Sequence, residues 1–258
     1  MPDANEPVRL YVYATSPYAN KVSCYLHFKG IPFETIHVDP LKRREIRFTR
    51  QPLIPVLQLD EQWRTESSEI GLWLEERFPE KPMLPADAQR RERVLEIDDW
   101  ISHSVIPMFF RNLVEVDWLH LPTWLANRYR YALGLHRARK LPLPLLALYP
   151  LAAKMTPFVR AHASRTPQDR SLKQLKGEVF EQVERMLDGG PFFAGEPEPT
   201  MADLSFYPLM AMPHCLNLKG DRLYERPAFI REWVERMAPR LPVNPLLVPE
   251  HAMVNRVL

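Results

Sequence analysis

The residues near the N-terminus that can do chemistry are hydroxyls and carboxylates placed where helices begin. Ala14-Thr15-Ser16-Pro17-Tyr18-Ala19-Asn20 follows directly on the apolar run Val8 to Tyr13. Serine before proline is a favoured helix start, because the hydroxyl accepts an orphaned N–H and proline has none to leave unpaired. As a cap, the turn is complete in itself. It also presents a hydroxyl and free N–H groups, at the positive end of a helix, to an anion such as a thiolate sulfur. Two further features follow in order: Ile54-Pro55-Val56 at the entry to an apolar run, and Glu66-Ser67 ahead of a third apolar segment. Free N–H groups, a serine hydroxyl and a helix dipole at Ser67 would together suit a carboxylate.

The elements that position these residues can be read from periodicity. Val8 to Tyr13 alternates and is rich in β-branched and aromatic residues, so it predicts a strand. Pro17 to Lys29 has helical spacing and Gly30 is its stop. Phe33 to Val38 predicts a second strand, and so short a return implies a right-handed βαβ unit. Leu41 to Arg50 reads as a charged, weakly amphipathic helix. Leu53 to Asp60 and Trp63 to Thr65 read as a β-hairpin, and Glu66 to Phe78 as a helix. The order βαβαββα over residues 7–79 is a complete small α/β domain.

Residues 79–85 read as a linker, and residues 86–258 as an all-helical domain. In that domain Asp87 to Val116 is helical with a kink or end at Pro107. Asp169 to Asp188 places Leu172, Leu175, Val179, Val183, Met186 and Leu187 on one face and stops at Gly189-Gly190. Thr200 to Met212, opened by a Thr200 to Asp203 cap, and Pro227 to Met237 complete it. The fold class is α/β plus all-α. Prolines number 27, about twice the usual share, and they concentrate at element boundaries and in an extended segment at 121–167.

Bulk properties exclude several classes. A net charge of +2 with interleaved signs gives no electrostatic case for nucleic acid. Cys24 and Cys215 stand alone, in no zinc or C-x-x-C spacing, so neither a disulfide scaffold nor a metal site is expected. Cys24 reads as a core thiol. The longest apolar run, Leu141 to Ala153, is cut by Pro142, Pro144 and Pro150 and is too short to span a bilayer. No apolar leader is seen, and a cytoplasmic protein is expected.

The Ser16 turn, Ile54-Pro55-Val56 and Glu66-Ser67, in this order and spacing, resemble the thioredoxin-like N-terminal domain of the cytosolic glutathione transferases. Phe192-Phe193-Ala194-Gly195 followed by Pro199-Thr200-Met201-Ala202-Asp203 resembles the signature of that family's helical bundle domain. The resemblance covers nearly the whole chain apart from 121–167 and the tail. It implies a cis peptide at Ile54-Pro55, with the backbone of Val56 pairing with glutathione as an added strand. It implies that Glu66 and Ser67 hold the γ-glutamyl end. Gln51, with Arg50 and Lys42 as further choices, would meet the glycyl carboxylate.

Ser16 would donate a hydrogen bond to the thiolate. Lowering a thiol from its usual pKa near 8.5 by about two units needs about 2.7 kcal/mol. One charged hydrogen bond supplies about 1.5–3 kcal/mol and a helix start about 0.3–1. Thr15, Tyr18 and Asn20 are the rival donors. Where omega-like members hold a cysteine that forms a mixed disulfide, this chain has Ser16, so thiolate activation is the chemistry left. Trp100, His103, Ser104, Pro107, Met108 and Phe109 are candidates to line an electrophile pocket between the domains. The resemblance therefore implies a homodimeric, detoxifying glutathione S-transferase that joins glutathione to a small hydrophobic electrophile. The alternatives are a non-catalytic adaptor on the same fold, or a glutathione-dependent lyase, isomerase or peroxidase.

Overall fold

The computed structural model describes residues 7–40, 42–139, 148–149, 151–152 and 154–257. Its sheet has the strand order β2-β1-β3-β4. β1 (Val8–Val12) and β2 (Phe33–His37) are parallel, joined by α1 (Pro17–Lys29). β3 (Val56–Leu59) runs antiparallel to β1 with Tyr11 opposite Val56, and β4 (Gln62–Arg64) closes the hairpin. Gly30 ends α1 in the left-handed region at φ 70°, where a side chain would be strained.

The alternation of β1 sends its residues to two different cores. Leu10 and Val12 join Leu57 and Leu59 against α1 and the helical half of the molecule. Tyr11 and Val56 turn to a smaller cluster with Val38 and Ile46. That second face is closed by residues 44–49, and here the expectation of an amphipathic helix over 41–50 fails. Only a 3-10 turn, Arg44–Thr49, forms, broken at Ile46 (φ −115°) and flanked by Arg43 and Arg50 at φ 46° and 54°. Ile46 and Thr49 are its only buried residues, too short an apolar face to hold a regular helix in water. Leu41 lies outside the described residues.

α2 (Ser67–Arg77) packs on α1. The stretch after it, expected as a linker, is tied down: Met83 and Leu84 donate their N–H groups to the Glu75 carboxylate at 3.0 and 3.2 Å. α3 (Ala88–Trp100) then starts under an Asp87 cap. A π-helical turn, Ile101–Val105, follows, and α4 (Ile106–Val114) continues. The interruption expected at Pro107 thus falls in the turn just before it. Pro107 cannot donate to the His103 carbonyl, and Ile106 N–H reaches back to Ile101 instead.

The remaining helices are α5 (Leu121–Arg139), α6 (Pro157–Ala163), α7 (Leu172–Leu187), α8 (Met201–Cys215) and α9 (Ala228–Met237). Most of the Leu141 to Ala153 run lies outside the described residues. α8 is buried on almost every side and runs three residues past its expected end, through Pro208 and Pro213. It packs against α1 and α3, so the sheet half and the helical half share one continuous core. Cys24 and Cys215 are both buried free thiols in that core. Among the described residues no helix is long and apolar enough to cross a membrane, and no group of three His, Cys, Asp or Glu could hold a metal ion.

Candidate functional site at the starts of two helices

Ser16 caps α1 from an extended conformation, with Pro17 at the first helical position. Its Oγ accepts from Ala19 N–H at 3.3 Å, and its own N–H donates to the Tyr13 carbonyl at 2.9 Å. Among the described residues no hydrogen bond uses the hydroxyl proton of this half-buried serine. Among the described residues the Thr15 hydroxyl makes no hydrogen bond either, so the turn holds two unspent hydroxyl protons, and that of Ser16 sits at the cap itself beside the helix's positive end.

The rival donors behave differently. Asn20 is fully buried and spends its amide on the carbonyls of Ala14 and Ser16, both at 2.8 Å, while its Oδ1 accepts from Leu247 N–H at 2.9 Å. It ties the turn to the C-terminal segment and has nothing left for a ligand. Tyr18 donates its hydroxyl to the Ser102 carbonyl at 3.0 Å, and burial pushes its phenol up to about 12. What Tyr18 offers the cleft is its ring, which stacks on Phe110 and meets His162 edge-on, with centroids 6.2 and 6.0 Å away. Thr15 is 6% exposed, and its methyl faces Gly134 of α5, where a Cβ would come within 3.4 Å.

The second helix start lies beside the proline-led strand. The Ile54-Pro55 peptide is cis. The β3–β4 pairs begin at Leu57 opposite Arg64, so Val56 lies outside the β3–β4 register, and the residue itself is fully buried. Glu66 caps α2 at φ 59°, ψ 111°, exposed, and with no side-chain cap bond. A non-glycine residue held there costs about 1–3 kcal/mol, a pattern concentrated at ligand clamps. Ser67 is 5% exposed, and among the described residues no hydrogen bond uses its hydroxyl. A cleft of about 520 Å³ runs past this start, lined by Glu61 to Glu66 and Glu69. Gln51 is folded back on its own loop, its amide donating to Leu53 O at 3.0 Å and Thr49 Oγ1 at 3.2 Å. Its donors are thus engaged locally.

A buried polar cluster behind both starts escaped the sequence reading. Lys21 of α1 is 0% exposed and holds Ser68 Oγ, Asp98 Oδ2 and Ser102 Oγ at 2.8–2.9 Å. Asp98 also accepts from Tyr25 and Ser205. Burial pushes the Lys21 ammonium down and the Asp98 charge pulls it back up. The cluster joins α1, α2, α3, the π-helical turn and α8, and so fixes the two open helix starts relative to the helical half. The signal available in the sequence was a lysine inside an otherwise apolar helix face, which alone reads as solvated surface.

Of the expected pocket residues, Met108 is buried at 9% exposure and Trp100 is partly buried against the core. His103 is exposed, with Nδ1 2.9 Å from Asp99. The aromatic wall beside Tyr18 comes instead from Phe110, Phe158 and His162, the last two on α6. His162 Nδ1 lies 3.0 Å from the Phe158 carbonyl, which can only accept, so Nδ1 carries the proton and Nε2 is the acceptor. Burial lowers its pKa further. Phe158 and His162 lie too far along the chain for spacing to have tied them to Tyr18.

Residues 10–82 match the family model described as glutathione S-transferase, N-terminal domain. Over those residues the chain has a glutathione S-transferase N-terminal domain, thioredoxin-like in fold, and a helical domain follows it, the architecture of the solved glutathione transferases. A maleylpyruvate isomerase from Ralstonia sp. is 29% identical over 113 residues, 42% of this chain and 53% of that protein. Glutathione S-transferase 1 of Dianthus caryophyllus is 31% identical over 119 residues, 44% and 53% of the two. In these alignments the chain spans about half the length of the curated relatives it matches. Among solved structures, the Tau class glutathione S-transferase MiGSTU of Mangifera indica superimposes with TM-score 0.57 at 17% identity, covering 96% of this chain and 94% of that one. The beta-etherase LigF of Sphingobium sp. strain SYK-6 gives 0.56 at 17% identity, covering 90% and 95%. At such identities the likeness is one of fold.

Proposed function

We propose that this chain is a glutathione-dependent enzyme of the Ser type, in which Ser16 donates its hydroxyl proton to the bound thiolate. The observation that carries this reading is the unspent hydroxyl proton of Ser16 at the start of α1. Glutathione supplies what the rest of the site lacks: a peptide backbone to pair with Val56 beyond the end of the β3–β4 ladder and a γ-glutamyl carboxylate for Ser67 and the N–H groups of α2. Glu66, exposed beside Ser67, faces that ligand's amine. The thiolate then adds to an electrophile held against Tyr18, Phe110, Phe158 and His162. Calorimetric titration with glutathione should show saturable binding at or below millimolar concentration. Ultraviolet absorbance against pH should place the bound thiol's ionisation well below 8.5. A chain that binds no glutathione is the adaptor instead.

An isomerase or lyase is the second reading. The Arg165 charge acts on both Tyr18 and His162 and the Glu66 carboxylate opposes it at both, so the charges around the pocket favour neither an apolar nor an anionic electrophile. The relatives named as maleylpyruvate isomerase and beta-etherase agree with that reading. A homodimer through α2 and α3 is supported by a cleft of about 620 Å³ there, lined by exposed Leu72 and Asp99 and half-buried Leu95. Sedimentation equilibrium tests it.

A further inference from the structure

Two cations bind one carboxylate inside the helical half, and a third within reach of its charge keeps two buried donors unpaired. Asp221, 8% exposed, accepts Lys176 Nζ at 2.6 Å and Arg226 Nη2 at 2.8 Å on the same oxygen. Burial pushes the Asp221 carboxyl up, but these two cations outweigh it and hold the group ionised below the usual carboxylate range. The third cation is Arg128 of α5, which is 1% exposed and lies over the Trp124 ring, 4.7 Å from its centroid. The charge of Asp221 reaches Arg128 without a hydrogen bond. Among the described residues nothing accepts from its Nε or Nη2, although both atoms are buried. The Nε of Arg226 is also buried with no partner.

A buried ammonium can neutralise itself by losing a proton, but a guanidinium does not. Arg128 therefore keeps its charge in the core with two donors unanswered and Asp221 acting on it only from a distance, an arrangement that folded proteins avoid unless an anion completes it. The two free atoms are also neighbours of a particular kind. Nε–H and Nη2–H form the side-on edge of the guanidinium, two parallel donors spaced for the two oxygens of a carboxylate or phosphate. One face of the group lies over Trp124, and this edge is buried and unpaired. Lys176, with its side chain 33% exposed, marks the side from which solvent reaches the cluster.

We propose that the side-on edge of Arg128 is an oxyanion site, taking the carboxylate or phosphate group of a small ligand, with Arg226 and Lys176 supplying the surrounding positive field. The site is separate from the turn at Ser16. α5 meets that turn at Gly134, six residues further along the helix, about 9 Å along its axis. The assignment does not depend on the glutathione reading.

Thermal unfolding of the full chain in sodium phosphate, in sodium acetate and in sodium chloride, matched in pH and ionic strength, tests it. A saturable rise in Tm over the chloride series is expected from at least one of the two oxyanions. A rise in phosphate alone assigns a phosphoryl ligand, and a rise in acetate alone assigns a carboxylate. Arg128→Lys keeps the charge but loses the fork, and should need about tenfold more of the active anion for half the effect. No saturable rise in either anion, or an unchanged midpoint in Arg128→Lys, overturns the proposal. Should that variant fail to fold, wild-type crystals soaked in selenate and in bromoacetate decide the matter. An anomalous peak within hydrogen-bond reach of Nε and Nη2 supports the site, and its absence in both soaks overturns it.

Discussion

Two helices of this chain begin with a hydroxyl cap and put it to opposite uses. At the start of α8, Thr200 Oγ1 accepts from Asp203 N–H at 3.4 Å, and the Asp203 carboxylate takes Thr200 N–H, Thr200 Oγ1–H, Phe193 N–H and Trp233 Nε1–H at 2.7–3.3 Å. Each of those donors is answered, and Asp203 is 0% exposed. At the start of α1, Ser16 makes one long cap bond, is half-buried, and keeps its hydroxyl proton. α2 is more open still, with Glu66 in a left-handed conformation and making no side-chain cap bond. A closed cap contributes to stability. An open one gives some of that up and leaves donors for a ligand. The difference lies in what surrounds the cap: Asp203 has a tryptophan and a loop N–H packed onto it, whereas among the described residues nothing accepts from the hydroxyls of Ser16 and Ser67.

The largest test of this contrast is Asp203→Ala, which leaves three buried N–H groups without an acceptor. It should destabilise the fold by about 3–5 kcal/mol, read as a fall in the denaturation midpoint. Bound glutathione's thiol titration should not move, and an equal effect on both would erase the distinction between the two starts. A second test uses pH. Burial pushes the Asp203 carboxyl up to about 6 from an ordinary 3.8, against the pull of Thr200 and Trp233. The folded state therefore holds that proton more tightly than the unfolded chain does. This group's contribution is full below its ordinary value and is lost as pH rises toward 6, by about 3 kcal/mol at most. The stability difference between wild type and Asp203→Asn should shrink over that window and level off above it.

Ser16→Ala should do the reverse of Asp203→Ala. Bound glutathione's thiol should titrate about 1–2 units higher, with kcat/KM falling about 10–100-fold, while stability changes by about 1 kcal/mol. A thiolate titration unmoved by the substitution would remove Ser16 from its role. The smallest effect is expected at Glu66→Gly. Glycine adopts φ 59° without strain, so the variant should gain about 1 kcal/mol of stability at most and bind glutathione more weakly. Calorimetry and chemical denaturation on the same preparation would show whether the two move in opposite directions.

The sequence was most informative where local chemistry is decisive. Ser16-Pro17, Gly30, Thr200 to Asp203 and the alternation of Val8 to Tyr13 each set a backbone conformation through groups a few residues apart, and each element formed as read. Reading residues 41–50 as a helix failed because helical spacing is only half of the requirement, and the buried face that would reward it was missing. The spacing around Pro107 announced an interruption but not its form, since a π-helical turn depends on which carbonyls the neighbouring helices leave free.

By itself the sequence determined the order of elements, the cap at Ser16 and the positions of the proline-led strand and of Glu66-Ser67, because caps, turns and short strands are governed by neighbours in the chain. Only the tertiary structure decided that Tyr18 and Asn20 spend their donors inside the protein, that Lys21 and Asp98 lock the two helix starts together, that Phe158 and His162 pack beside Tyr18 and Phe110, and that Arg128 is buried with an unpaired edge. Those facts depend on which groups are brought together from tens or hundreds of residues apart, and on the loss of water around them. Neither is written in the spacing of a single segment.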